Sequence, residues 1–134
     1  EATERVVAWP STPAWGPLAV LAQYRTNPRV AAHIPAGAFQ PPPKTDSAFV
    51  VMPLRDTPPV DPGDEGVFFR LVNAAFAMRR KTLLNNLMPA FSLSRPAAQK
   101  ALTEAGLRPD IRGEALGLAE FAALSRVLQG MTVL

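Results

Sequence analysis

RRKTLLNNL, residues 79–87, decides how the second half of this chain is read. Three cations stand together, an apolar pair follows the threonine, and two asparagines precede the last leucine. Neither glycine nor proline interrupts VFFRLVNAAFAMRRKTLLNNLM (67–88) before Pro89, so the pattern predicts one long helix. At roughly 100° per residue, Phe68, Phe69, Val72, Phe76, Leu83 and Leu87 fall on a single apolar stripe facing a core. On that wheel Arg70 and Lys81 share the opposite face. Arg80 and Asn73 sit on one flank, Asn85 lies on the other, and Arg79 and Asn86 fall inside the stripe. Arg70, Arg80 and Lys81 are then expected at solvent, facing either water or a backbone phosphate. Arg79 is expected to pair internally with Glu114 or Glu120, because a buried unpaired cation is costly, with RNA contact as the alternative. Asn85 and Asn86 could hydrogen-bond a ribose or cap a helix end.

Charge sharpens this reading. Between Gly66 and Thr103 the charged residues are Arg70, Arg79, Arg80, Lys81, Arg95 and Lys100, with no Asp or Glu. That window carries +6 against +3 for the whole chain, so the rest sums to −3. Segregated positive charge is the footprint of a polyanionic partner. The competing reading is a chance lull in acids within an alanine- and leucine-rich region. With 48% hydrophobic and 19% charged residues the composition is globular. There is no cysteine, hence no disulfide or cysteine metal site, and a single histidine, His33, argues against a histidine metal site or triad. No apolar run approaches the roughly 20 residues of a membrane span, and no secretory pattern opens the chain. The expectation is a cytoplasmic protein with neither a membrane nor a metal partner.

The first half reads differently. EATERVVAW (1–9) looks like a helix end stopped by Pro10 and opening in mid-pattern. LAVLAQY (18–24) has the length of a strand or of a buried helix, and periodicity does not separate them. RVAAHI (29–34) alternates loosely, and SAFVVMPL (47–54) is a buried-strand candidate stopped by Pro53. RDTPPVDPGDEG (55–66) reads as a linker and domain boundary. Downstream, SRPAAQKALTEAGL (94–107) predicts a helix with Ser94 as N-cap, proline in the first turn and Gly106 as the stop. LAEFAALSRVL (118–128) predicts a last helix ended by Gly130. Between the strand candidates lies FQPPPKTDS (39–47), whose three prolines forbid regular structure and stiffen the loop. Phe39 there either packs into a core or is held out to stack on a flat base, and Lys44 suits a phosphate.

Taken together, these motifs resemble the bacterial small-subunit rRNA adenine N6,N6-dimethyltransferases. Phe39-Gln40-Pro41-Pro42-Pro43-Lys44-Thr45-Asp46-Ser47-Ala48 is similar to the family's F-x-P-x-P-K-V-x-S-A loop, with Thr45 where valine is usual. RRKTLLNNL resembles the signature of its helical domain, with Leu84 where members often carry another basic residue. Ala14-Trp15-Gly16-Pro17-Leu18 stands where the family has an aromatic–glycine pair before a strand. Arg112-Gly113-Glu114-Ala115-Leu116 with Glu120-Phe121 matches its C-terminal pattern, and EATER resembles the helix after its catalytic motif. The resemblance runs over essentially the whole chain.

It implies an α/β piece, the final helix and strands of a doubly wound class I methyltransferase sheet, followed by a small all-α domain. Residues 1–56 would be the edge of the methyltransferase domain, 57–64 a linker and 65–134 a helical RNA-binding domain. It implies S-adenosylmethionine as cofactor and small-subunit rRNA in a pre-30S particle as partner. Phe39 would stack on the target adenine, and Lys44, Arg70, Arg80, Lys81, Asn85 and Asn86 would bind RNA. The family's glycine-rich cofactor loop and Asn-x-Pro-Tyr motif are not in this sequence, so it is expected to begin just after them and to be inactive alone. Sheet edges left open would favour self-association. Two other readings stand beside it: a large-subunit rRNA adenine methyltransferase of the antibiotic-resistance type, and a non-enzymatic helical RNA-binding module.

Overall fold

LAVLAQY is helical. Helix α1 spans Pro17–Arg25 and buries Ala19, Val20, Ala22 and Tyr24. Proline in its first turn gives up only an N–H that the helix would leave unused. The Trp15-Gly16 pair therefore precedes a helix, not the strand expected there. The helix end is closed from outside: the Arg55 guanidinium donates to the carbonyls of Gln23 and Thr26, at 3.0 and 2.8 Å. A cation at the negative end of the helix dipole is favourably placed.

This is a computed structural model, and it describes residues 6–34 and 47–131. After α1 come two strands, β1 (Arg29–Ile34) and β2 (Ser47–Val51), then helices α2 (Glu65–Ala75), α3 (Leu83–Ala90) and α4 (Arg95–Glu104). A 3-10 turn, Gly113–Ala115, leads into helix α5 (Leu118–Met131). The strand candidate at 47–54 forms over Ser47–Val51, and the loosely alternating run 29–34 is a strand as well. They pair antiparallel, from Arg29 opposite Val51 to Ile34 opposite Ser47, with a register shift between Val30 and Ala32. An antiparallel pair is compatible with the edge of an otherwise parallel sheet. Phe39 and Lys44 lie outside the described residues.

The single helix predicted over 67–88 is two helices. The first, α2, starts at Glu65, because the Asp64 carboxylate accepts from the Val67 N–H at 3.1 Å. It stops at Ala75, and residues 76–82 form a turn before α3. Thr82 is the N-cap of α3, its hydroxyl accepting from the Asn85 N–H. A threonine before an apolar pair is a start signal that the missing glycine or proline obscured. Arg70 and Lys81 thus share no helix face. The apolar stripe survives the break: Phe68, Val72, Phe76, Leu83 and Leu87 are all buried, and Phe69 packs against them partly exposed. It survives because α2 and α3 pack directly on each other, α5 lies against α2, and α4 bridges α3 and α5.

The last two helices follow their signals with one change. Ser94 caps α4, accepting from Ala97 N–H at 3.2 Å, and Gly106 ends it with φ of 77°. Gly130, expected to end α5, lies inside it, and the helix reaches Met131. Residues 55–64 form neither helix nor strand, and they are strapped to α5. Pro62's carbonyl accepts from Ser125 Oγ at 3.0 Å and from Gln129 Nε2 at 2.7 Å, while the Asp64 N–H donates to Gln129 Oε1 at 2.9 Å. Trp15, Ala19, Val20 and Tyr24 belong to the same buried cluster as the helices that follow. Tyr24 stacks on Phe68, with ring centroids 4.8 Å apart, and its hydroxyl donates to Glu65 at 2.7 Å. No helix of the described residues is long and apolar enough to cross a membrane.

Two outcomes follow for stability. Burial, reinforced by the bond to the Glu65 carboxylate, pushes the Tyr24 hydroxyl from 10.0 up to about 12. Between those values the folded state holds a proton that the unfolded chain has lost, so stability falls as pH rises from 10.0 towards 12. Urea titrations over that range, with Tyr24→Phe as control, should show the slope and its loss. Among the glycines, a Cβ at Gly113 would stand 2.4 Å from the Ala75 carbonyl oxygen, whereas Gly130 has nothing within 4 Å. Gly113→Ala should cost about 2 kcal/mol or more, and Gly130→Ala should stabilise by about 0.5–1 kcal/mol. A denaturation series giving equal effects at the two sites would contradict this packing.

Candidate nucleic-acid interface

The turn between α2 and α3 is assembled around Asn86. This side chain is 4% exposed, and its amide nitrogen donates to the carbonyls of Ala75 at 3.3 Å and Met78 at 3.2 Å. The first of these is an orphan acceptor at the C-terminus of α2; the second lies within the turn itself. Lys81 N–H also donates to the Met78 carbonyl, at 3.0 Å. Gly113 lies against Ala75 from the other side. The Leu83 N–H donates to the Ile111 carbonyl at 2.9 Å, which sets the 108–112 loop beside the start of α3.

Arg79 adds a further tie. Its guanidinium donates to the Trp15 carbonyl at 3.3 Å and lies over the Phe76 ring, 5.4 Å from its centroid. Trp15 is itself fixed through its indole N–H to the Leu116 carbonyl at 2.8 Å. The carboxylate partner expected for Arg79 is absent: among the described residues the ion pairs are Arg25–Glu65 and Arg108–Asp110. Glu120 accepts instead from the Gly117 N–H at 2.8 Å. The side chain of Arg79 is exposed, so a neutral carbonyl and an aromatic face satisfy it without a counter-charge.

The remaining predicted site residues divide clearly. Arg80 and Lys81 are exposed and have no side-chain partner among the described residues. Arg70 is exposed but engaged, donating to the Ala90 carbonyl and lying 4.8 Å from the centroid of Phe91. Asn85 is half-buried, its carbonyl accepting from Arg95 at 3.3 Å. Asn86 does not reach the surface, so the ribose contact weighed for it gives way to closing a helix end. Lys100 and Arg112 are also exposed without a side-chain partner among the described residues. In the sequence Arg112 stands out only as part of the C-terminal pattern and not as an RNA-binding residue; the Leu83–Ile111 bond is what brings its loop to the start of α3.

The residues present do not fit S-adenosylmethionine. Of two cavities of about 470 Å³ each, one is lined by the carboxylates of Asp61 and Glu65, already bonded by the Gly63 N–H and the Tyr24 hydroxyl, and the other, lined by Trp9, Gln23, Arg29 and Arg55 among others, has no carboxylate for a ribose diol. Its amide is committed, Gln23 donating to the Val6 and Ala8 carbonyls. Among the described residues no cluster of three or more His, Asp or Glu could hold a metal.

The arrangement of helices and strands is similar to part of two solved structures. A dimethyladenosine transferase from Plasmodium falciparum superposes with a TM-score of 0.67 at 18% identity, over 90% of this chain and 51% of that one. The 23S rRNA methyltransferase ErmE gives 0.61 at 19%, over 86% and 46%. In sequence, "Ribosomal RNA small subunit methyltransferase A" from Streptococcus pneumoniae strains Hungary19A-6 and CGSP14 is 44% identical over 133 residues. That match takes in 97% of this chain and 46% of the relative, so the chain spans about half the length of the curated relatives it matches. Residues 1–129 match the family described as ribosomal RNA adenine dimethylase. The chain belongs to that family.

The division between tying and free residues is testable. Asn86→Ala leaves the Ala75 carbonyl without a donor and the Met78 carbonyl with the Lys81 N–H alone, and should lower stability by about 1–3 kcal/mol. Arg80→Ala and Lys81→Ala should each stay within about 0.5 kcal/mol of wild type. Urea denaturation of the three variants decides it, and a mild Asn86→Ala would remove the amide from the centre of the turn.

Proposed function

We propose that this chain is the RNA-docking portion of an S-adenosylmethionine-dependent rRNA methyltransferase that dimethylates two adjacent adenines near the 3′ end of small-subunit rRNA. It acts on a pre-30S particle during ribosome biogenesis. One observation carries the reading: Arg80 and Lys81 stand free on a turn whose backbone is tied down by Asn86, Arg79 and Thr82. Cations held on a fixed backbone lose little freedom when they meet phosphate, so the docking is pre-organised. Arg80 and Lys81 supply sequence-independent phosphate contacts, with Arg112 beside them and Lys44 on the proline loop. Arg70 and Asn85 complete the rim, and Asn86 acts at one remove by holding the turn. Phe39 stacks on the adenine after it leaves its helix.

The domain division is part of this reading: 1–56 is the edge of the methyltransferase domain, 57–64 the linker and 65–134 the RNA-binding domain. The buried side chains of α1 pack into the core of the helices that follow. The methyl donor's site is not among these residues, and no step of the transfer is assigned to them. A polypeptide of these 134 residues alone transfers no methyl group. The small-subunit reading is favoured over the large-subunit one by the 44% identity to relatives named for the small subunit.

The test is binding of the full-length protein to a 3′-terminal fragment of small-subunit rRNA across a salt series. With about four phosphate contacts, log K should fall against log salt with a slope near −3. Changing Arg80 and Lys81 together to alanine should shrink that slope by about one to two. Identical slopes would place docking elsewhere.

A further inference from the structure

The turn carries an apolar group that phosphate binding does not use. Met78 is 52% exposed, directly ahead of the three cations. A lone exposed methionine is ordinary on a protein surface. Two features set this one apart. Its backbone is pinned, since its carbonyl accepts from both Asn86 and Lys81, at 3.2 and 3.0 Å. It also stands at the only described connection that places two unpartnered cations side by side, Arg80 and Lys81. A thioether is flexible and polarizable and adapts to flat apolar surfaces.

We infer that Met78 is a recognition residue for an unpaired nucleotide, packing on its base or ribose while Arg80 and Lys81 hold the flanking phosphates. The inference rests on the docking role proposed above and names what the docking turn selects. Cations alone cannot distinguish paired from unpaired RNA, because both display phosphates. An apolar tip can. In an A-form duplex the base faces are stacked and the major groove is too narrow for side chains, whereas loops and bulges splay their bases out. A turn made of one apolar tip and two cations therefore favours a looped segment over a continuous helix. The tethering of Arg79 to Trp15 keeps it from competing for the same phosphates.

The experiment uses the full-length protein, a hairpin-bearing 3′-terminal fragment of small-subunit rRNA, and a fully paired duplex with the same number of phosphates. Met78→Ser should weaken hairpin binding about fivefold, from loss of a partly buried apolar contact. It should leave the salt slope and the duplex affinity unchanged. Met78→Leu should bind the hairpin within about twofold of wild type, since leucine replaces methionine at similar volume. Wild-type hairpin affinity in Met78→Ser, with the Arg80/Lys81 variant still weakened, would overturn this inference and leave docking intact. A fall accompanied by a smaller salt slope would mean the turn had been disrupted and would also overturn it. Failure of the wild-type protein to bind either RNA would remove the docking role itself.

Discussion

Everything near the proposed docking surface depends on one buried amide. Asn86 gives its two hydrogens to the carbonyls at the end of α2 and in the turn after it. Buried carbonyls without donors are expensive, so a break between two packed helices needs such a partner. With it, α2 can stop at Ala75 and α3 can start at Leu83 while both keep their apolar faces on one core. The break in turn lifts residues 77–81 out of that core. A continuous helix would have carried Arg79 into the apolar stripe, where no carboxylate waits for it.

The motif that first drew attention is therefore mostly scaffold. Thr82 caps, Leu83, Leu84 and Leu87 are buried, Asn86 bonds backbone, and Arg79 ties the turn to Trp15. Of the motif's three cations, Arg80 and Lys81 are left without a side-chain partner among the described residues. Such a distribution makes physical sense for a docking element. Two long, flexible cations bind better when the backbone beneath them does not have to be ordered at the moment of contact.

The same economy of ties links the two halves. Helix α1 shares the helical core, Tyr24 bonds Glu65 at the start of α2, and the proline-rich segment is fastened to α5 through Pro62. The segment read as a linker from its prolines, glycines and aspartates is bonded to α5 along its last residues. Helix α1 and the helices after it are thereby set in one relation.

By itself the sequence determined the strand within 47–54, the capped helix after Ser94, the last helix, the apolar residues of the core and the kinship. Each rests on short-range signals: a β-branched apolar run, a capping hydroxyl, a left-handed glycine, or a motif in order. Tertiary structure alone decided that 18–24 is a helix, because an apolar run of that length fits either state until its neighbours are known. It alone decided the break at 76–82, because no local breaker marks it and the stabilising donor, Asn86, lies beyond the turn it secures. The fates of Arg79 and Asn86 followed from that break. Whether a polar side chain faces RNA or a backbone carbonyl is set by which carbonyls the fold leaves unsatisfied nearby, and that is a long-range property.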